Sequence, residues 1–148
     1  MKLVMQRVKR AHVEISGQMI SEISQGLFVL IGVLKGDTIK DSEYLARKIV
    51  NLRIFEDDQG KMNRSVRDVE GDILVVSQFT LGADCRKGNR PGFNKAEVPA
   101  RAEELYEHFC QHVGLMYKKP FQGCFGARMD ICVVNEGPVT ILLDSKAG

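Results

Sequence analysis

The stretch Leu27-Phe28-Val29-Leu30-Ile31-Gly32-Val33 decides the class of fold. It is apolar throughout apart from Gly32, and such a short continuous run predicts a buried central strand. Upstream, Met19 to Ile23 is a candidate hairpin strand, and His12 to Ile15 alternates polar and apolar residues as a half-buried partner does. Gly17 marks the turn between these two segments. We therefore expect a sheet at the centre of the molecule.

Helical spacing on the carboxyl side of this strand predicts two helices. Asp41 or Ser42 offers an N-cap for the first helix. The second helix begins with Pro99 at its first position and ends at Gly114. The apolar stripes recur at helical spacing, at Leu45, Ile49 and Leu52 in the first helix and at Ala102, Leu105, Phe109 and Val113 in the second.

Four further strands bring the predicted total to about seven. Leu52 to Phe55 looks extended, and Ile73 to Leu81 is the next strand. Met129 to Val134 and Val139 to Leu143 are the last two, joined by a turn over residues 135–138. The strands are mostly linked by turns rather than by helices. This pattern predicts the α+β (mixed α/β) class: a single β-rich domain over residues 1–148, with helices on one face of a largely antiparallel arrangement.

Composition is that of an ordinary soluble globular protein, with 44% hydrophobic and 27% charged residues. The net charge is +2, so any nucleic-acid contact must come from a local basic patch. The N-terminus has no apolar signal segment, and the longest apolar run is too short to span a bilayer, so we expect a cytoplasmic protein. The four cysteines lack CxxC spacing and are expected to be reduced thiols that bind no metal.

The sequence shows none of the familiar catalytic motifs, and it has only three histidines, His12, His108 and His112. His12 falls on the polar side of an alternating strand. His108 and His112 are four residues apart on the second helix, and with no third ligand nearby they are interpreted as solvated side chains rather than a metal site. The chain therefore offers no evident general base.

Two segments are more elaborate than structure alone requires. Ser77-Gln78-Phe79-Thr80-Leu81 closes an apolar strand with polar groups, although a strand simply leaving the core would look similar. The loop that follows, Gly82 to Val98, is long enough to suggest a function, and it carries the basic residues Arg86, Lys87, Arg90 and Lys95. In the second segment, Gly137-Pro138, the glycine permits close approach of another molecule and the bond to proline can be cis.

Several separated motifs of this chain occur together in one known family. In chain order they are Met5-Gln6-Arg7-Val8, Leu52-Arg53-Ile54-Phe55, Gly60-Lys61-Met62-Asn63 with Ser65-Val66, Ser77-Gln78-Phe79-Thr80-Leu81, Lys87-Gly88 with Arg90-Pro91, Phe125-Gly126-Ala127, Gly137-Pro138-Val139-Thr140 and Leu143-Asp144-Ser145. Over essentially its whole length the chain resembles the D-aminoacyl-tRNA deacylases. It departs from them at Gly92, where many relatives have Ser, and at Glu136, where Asp is usual.

The resemblance implies a compact β-rich sandwich layered with helices, and a homodimer with two active sites at the subunit interface. The Ser77–Leu81 segment forms the pocket of one subunit, and a cis Gly137-Pro138 segment enters it from the other. Members hydrolyse D-aminoacyl-tRNA and also glycyl-tRNA, without a metal or an organic cofactor. Site residues expected to act in or near catalysis are Ser77, Gln78, Phe79 and Thr80. Phe79, Phe125 and Met129 are expected to contact the terminal adenosine of tRNA. The loop cations Arg86, Lys87, Arg90 and Lys95, together with Lys118 and Lys119, are expected to contact its phosphates.

Three competing functions stay open on sequence grounds. The chain could be an RNA-binding module without catalytic activity, although its weak net charge and few aromatic residues argue mildly against that. It could be a conventional hydrolase that uses Thr80 or Ser77 as a nucleophile on a small ester. It could also be a related deacylase that accepts particular L-aminoacyl-tRNAs.

Overall fold

A computed structural model describes residues 1–147 of the chain. The elements in chain order are β1 (Lys2–Ile15), β2 (Gln18–Ile23), β3 (Gly26–Gly32), α1 (Ile39–Asn51), β4 (Phe55–Glu56), β5 (Met62–Arg64), β6 (Asp72–Ser77), a 3₁₀ turn (Phe79–Gly82), α2 (Pro99–Met116), β7 (Phe121–Gln122) and β8 (Asp130–Asp144). No helix within residues 1–147 is long and apolar enough to cross a membrane.

Six of the strands form one mixed sheet. Its order is β2-β1-β3-β6-β7, and β8 pairs with β1 along almost its whole length. β1 is antiparallel to β2, β3 and β8, whereas β6 is parallel to β3 because a crossover containing α1 separates them. The α+β class and the largely antiparallel pairing are thus confirmed, and β3 is the buried central strand that its apolar run predicted.

The sheet curves so strongly that it is nearly a closed barrel, and its two faces carry separate cores. Side chains that alternate along β3 divide between them: Leu27, Val29 and Ile31 face the helices, whereas Phe28 faces the inside of the curved sheet. The helices contribute the other half of the first core with Leu45, Ala46, Ile49, Val50, Ala102, Leu105, Phe109 and Val113. The stripe of α2, and Leu45 and Ile49 of α1, therefore point where the sequence periodicity predicted. Leu52, the third residue of the predicted first stripe, lies just past the end of α1 and is only partly buried.

Several predicted boundaries were wrong. β1 begins at Lys2, ten residues before the predicted start at His12. Helix α1 begins at Ile39 with Thr38 as its N-cap, not Asp41 or Ser42, because the carboxylate of Asp41 accepts the Thr38 N–H (2.8 Å) from inside the first turn. Helix α2 begins at Pro99 as predicted but continues past Gly114 to Met116.

Two other corrections bear on the site. The strand predicted over Ile73 to Leu81 ends at Ser77, and the polar segment after it turns into a short 3₁₀ helix. The two strands predicted around Gly137-Pro138 form one strand, β8, interrupted by a bulge rather than by a hairpin turn. The long β1 holds both halves of β8 in one ladder, and its extent was not recognised from sequence.

Candidate functional site

A cavity of about 630 Å³ opens where β6 ends. Five of the predicted site residues line it: Ser77, Gln78 and Phe79 from the end of β6, and Phe125 and Met129 from the segment between β7 and β8. The loop before α2 contributes Phe93 and Glu97, which the sequence analysis did not select. The wall is mostly apolar, so a bound molecule would be positioned by a small number of polar groups.

Polar groups at the end of β6 are arranged as hydrogen-bond donors. The side-chain amide of Gln78 donates to the Thr80 hydroxyl oxygen at 2.7 Å, which leaves the Thr80 proton free for another acceptor. The backbone N–H groups of Phe79 and Thr80 have no hydrogen-bond acceptor within residues 1–147. Thr80 itself is exposed and lies beside the cavity rather than in its wall.

The cavity offers little acid–base chemistry. Among residues 1–147, Glu97 is the one ionisable side chain in its lining, and none of the three histidines lines it. Beneath Phe125, at a ring distance of 5.8 Å, lies the buried Tyr106, whose hydroxyl donates to the Val75 carbonyl (3.1 Å). Burial raises the pKa of Tyr106 far above its ordinary value of 10, so this phenol stays protonated. Within the described residues, the cavity therefore offers neither a histidine nor an ionised tyrosine as a general base.

Met129 is held at the cavity by its own turn. Its sulfur accepts the Cys124 N–H (3.4 Å), and a Cβ on Gly123 would come within 2.7 Å of that sulfur.

No group of three His, Cys, Asp or Glu side chains within residues 1–147 is placed to hold a metal ion.

The basic loop is ordered, and its four cations are not equivalent. Asp84 and Gly92 exchange both of their backbone hydrogen bonds (2.7 and 3.0 Å), which closes the loop tip. The carboxylate of Asp84 accepts the Arg86 guanidinium, with Nε at 2.8 Å, and this contact holds the pKa of Asp84 well below its usual range. Lys95 lies 3.9 Å from the same carboxylate. Arg86 is therefore partly neutralised within the chain.

Lys87 and Arg90 differ from these two cations. Both are exposed, and neither makes a salt bridge or a side-chain hydrogen bond to any part of the chain that the structure describes. They are the loop's available positive charges.

Gly137 and Pro138 protrude from the β1–β8 ladder. Between the paired positions Gln6–Thr140 and Val8–Asn135, β1 has one residue, Arg7, whereas β8 has the segment 136–139. The peptide bond between Gly137 and Pro138 is cis, as the resemblance implies. Gly137 has φ +145°, and a Cβ there would approach the Val139 side chain to 2.8 Å, so glycine is required.

Arg7 and Asn135 hold this bulge from below. Arg7 is only 5% exposed, and its Nε donates to the Glu136 carbonyl at 3.1 Å while Nη1 donates to the Ile54 carbonyl at 2.7 Å. The Asn135 side chain donates to the Val139 carbonyl (3.0 Å) and accepts the Val139 N–H (2.8 Å). The Asn135 side-chain amide thus forms with the Val139 backbone the pair of hydrogen bonds that a neighbouring strand would otherwise form.

Comparison with known proteins identifies the family. A sequence model described as D-Tyr-tRNA(Tyr) deacylase matches residues 4–144. The chain belongs to this family. It is 56% identical to the D-aminoacyl-tRNA deacylase of Desulfatibacillum aliphaticivorans, over 99% of this chain and 100% of that protein. The deacylase of Aquifex aeolicus is 53% identical, with 99% of both chains covered.

Two solved structures have the same fold as this chain. A structure titled c-Myc DNA Unwinding Element Binding Protein superposes with a TM-score of 0.94 at 45% identity, covering 99% of this chain and 100% of that one. A second, described as a probable eukaryotic D-amino acid tRNA deacylase, has a TM-score of 0.81 at 19% identity, over 96% and 97% of the two chains, and shows the shared fold alone.

The two segments that the resemblance assigns to the active site, Ser77–Leu81 and Gly137-Pro138, lie in two separate places in one chain. Gly137 lines a second cavity of about 650 Å³ with Arg7, Asn135 and Glu136, and this cavity shares no lining residue with the one at the end of β6. Sequence reasoning assigned no role to Arg7 or Asn135. The signal for Arg7 was alternation: it follows the apolar Leu3 and Met5 at every second position, which places a guanidinium on a buried face.

Proposed function

We propose that this protein hydrolyses the ester that joins a D-amino acid, or glycine, to the 3′ adenosine of tRNA. One observation carries the proposal: in a chain of the deacylase family, the end of β6 presents free N–H donors and the Gln78–Thr80 pair beside a largely apolar cavity without a histidine. Such a site can stabilise developing charge but has no side-chain nucleophile with an adjacent histidine base. The substrate, charged tRNA, would place the protein in the cytoplasm.

The chemistry is proposed to be substrate-assisted. The N–H groups of Phe79 and Thr80 bind the ester carbonyl oxygen as negative charge develops on it during attack by water. The 2′-hydroxyl of the terminal ribose, next to the scissile bond, helps to activate that water. Gln78 fixes the Thr80 hydroxyl so that its proton points to the substrate, and Ser77 completes the polar end of β6.

Recognition of the tRNA end divides between the cavity and the loop. Phe125 and Met129, on the apolar wall, would contact the terminal adenosine. The loop cations would contact acceptor-end phosphates. Because Arg86 and Lys95 lie close to Asp84, Lys87 and Arg90 are proposed to contribute most.

Selection of the D enantiomer is proposed to require a second copy of the chain. Within one chain Gly137-Pro138 is exposed and does not line the cavity at the end of β6, so an isologous dimer would bring each bulge into the partner's cavity. The backbone carbonyls of the bulge would occupy the space that an L side chain needs, whereas a D side chain would point outward. Glycine has no side chain to exclude and is accepted.

The mechanistic test compares one variant with one modified substrate. Thr80→Ala should reduce the single-turnover rate on D-tyrosyl-tRNA by about 10²–10³, the usual cost of losing one positioned donor. Thr80→Ser retains the hydroxyl and should remain close to wild type. A tRNA that ends in 2′-deoxyadenosine should be nearly resistant. A loss of about 10⁶ in Thr80→Ala, together with normal cleavage of the deoxy substrate, would instead indicate covalent catalysis.

Wild-type protein is sufficient to test the competing functions. Tight binding of charged tRNA without turnover would identify a nucleic-acid-binding module, the class that the name of one structural neighbour, c-Myc DNA Unwinding Element Binding Protein, describes. Equal rates on L- and D-tyrosyl-tRNA, or complete inertness towards glycyl-tRNA, would contradict selection by exclusion. A fully active monomer in sedimentation would contradict the shared site.

A further inference from the structure

Two aromatic rings form an exposed pair at the mouth of the β6 cavity. Phe79 and Phe93 contact edge to face, with ring centroids 5.0 Å apart and an interplanar angle of 65°. Both line the cavity, yet Phe79 is 56% and Phe93 36% exposed. The pair therefore has one side towards the cavity and another towards solvent.

The backbone on both sides holds Phe93 in place. Gly92, the preceding residue, is paired with Asp84 by two hydrogen bonds. The Phe93 carbonyl accepts the Ala96 N–H at 3.0 Å, and Ala96 is bridged to Leu34 beyond the end of β3. The ring is thus presented by a fixed turn, and a ligand would not have to order it.

Unpaired positive charge lies in the same loop. Lys87 and Arg90 precede Phe93 by six and three residues and are exposed without ion-pair partners in the described chain. Aromatic faces combined with available cations are the means by which proteins bind single-stranded nucleic acid, since bases stack and phosphates pair with the cations.

We infer that Phe93, supported by Phe79, stacks the base that precedes the terminal adenosine, with Lys87 and Arg90 on the adjoining phosphates. The inference rests on the proposed function for the identity of the RNA end. A cavity of about 630 Å³ is in the range of sites that hold one small molecule, here the aminoacylated nucleoside. The preceding base must then lie at the mouth, where the exposed ring is.

A fluorescence experiment tests stacking without requiring catalysis. The chain has no tryptophan, so Phe93→Trp introduces a single indole reporter at the cavity mouth. A short single-stranded RNA ending in CCA should quench this fluorescence saturably. The matched control is Leu115→Trp, at an 84% exposed position on α2, which should not respond. Absence of quenching, or equal saturable quenching by adenosine monophosphate alone, would overturn the inference.

An activity experiment measures what the stacked base contributes. Phe93→Leu keeps an apolar wall but removes the aromatic face, and Phe93→Tyr keeps that face. We expect Phe93→Leu to lower kcat/KM on D-tyrosyl-tRNA by about 5- to 150-fold, the range for one stacked base, and Phe93→Tyr to restore most of it. On 3′-O-D-tyrosyl-adenosine, which lacks the preceding base, the loss in Phe93→Leu should be much smaller.

The outcomes separate the inference from the proposed function. Equal losses on both substrates would show that Phe93 serves the terminal nucleoside, and no loss on either would show that it serves neither; both results overturn the inference. A change in the sedimentation of Phe93→Leu would identify the aromatic pair as a subunit contact and also overturn it. Failure of wild-type protein to cleave either substrate would refute the proposed function, while the tryptophan experiment would still decide whether the base stacks.

Discussion

Replacing Arg7 tests whether the Gly137-Pro138 bulge must be held rigidly. The Arg7 guanidinium reaches the Glu136 carbonyl (3.1 Å) and the Ile54 carbonyl (2.7 Å) from two different nitrogens. It also lies 3.7 Å from the carboxylates of Glu56 and Glu136. Because the fork geometry of arginine serves both carbonyls at once, lysine is not a conservative replacement.

The magnitude follows from the number of bonds removed. Arg7→Lys has one ammonium group and loses at least one charge-assisted hydrogen bond, so the free energy of unfolding should fall by about 1.5–3 kcal/mol. Arg7→Met loses both bonds and leaves the Ile54 and Glu136 carbonyls without this donor, for a loss of about 2–6 kcal/mol at about 1–3 kcal/mol for each carbonyl. If the bulge then shifts by about 1 Å, kcat/KM on D-tyrosyl-tRNA should fall about 10²-fold, with a smaller ratio of D to L cleavage.

Urea unfolding and the two kcat/KM values provide the assay. Arg10→Lys is the matched control, because Arg10 lies on the same strand, is exposed and makes no side-chain hydrogen bond or ion pair in the described chain. The control should stay within about 0.5 kcal/mol of wild type. Equal, small losses in both lysine variants would refute the energetic argument. Destabilised Arg7 variants with an unchanged ratio of D to L cleavage would refute the role of the bulge in selection.

Three further predictions concern the loop, the first helix and the cavity floor. Lys87→Ala and Arg90→Ala should each reduce the slope of log affinity for tRNA against log salt by about 0.7–0.9, and Arg86→Ala by less, because Asp84 already pairs with Arg86. Burial acts to raise the pKa of Asp41, but hydrogen bonds lower it below the usual 3.8. The ionised Asp41 carboxylate therefore stabilises the folded state above about pH 4, and this stabilisation is lost as the pH falls further. Asp41→Asn should therefore unfold about 0.5–2 kcal/mol more easily near neutral pH, and denaturant unfolding should show that difference narrowing with acid. Tyr106→Phe loses the hydrogen bond to the Val75 carbonyl and should lower the free energy of unfolding by about 0.5–1.5 kcal/mol. Because burial raises the pKa of Tyr106, the variant should have the same pH–rate profile as wild type up to pH 10, and a difference between the two profiles in that range would contradict the raised pKa.

Much of the fold was predictable because buried apolar residues recur at the spacing of the strand or helix that they belong to. The continuous apolar run of β3 and the helical stripe of α2 are local patterns, and the structure buries the residues that they selected. The missed parts were those whose partners are distant in sequence. β8 was divided into two strands because Gly137-Pro138 has the composition of a turn, whereas pairing with the long β1 keeps both halves in one ladder.

The site was predictable to a similar degree. Ser77, Gln78 and Phe79 end a predicted strand, and the structure places them around one cavity with Phe125 and Met129. The sequence did not predict that Phe93 lines the cavity, because its loop has no periodic pattern of apolar residues. Only the turn between Phe93 and Ala96 and the pairing of Gly92 bring its ring against Phe79.

The sequence by itself determined the class of fold, the central strand, the two helices and the family, because each depends on residue types at short spacing or on motifs in order. Tertiary structure alone decided that Arg7 lies under the bulge, that Asn135 pairs with Val139 across it, and that Gly137 and the β6 cavity are apart in one chain. The physical reason is strand register. The position of one strand along another is set by the sum of many long-range contacts, and a shift of one residue would turn every side chain to the opposite face.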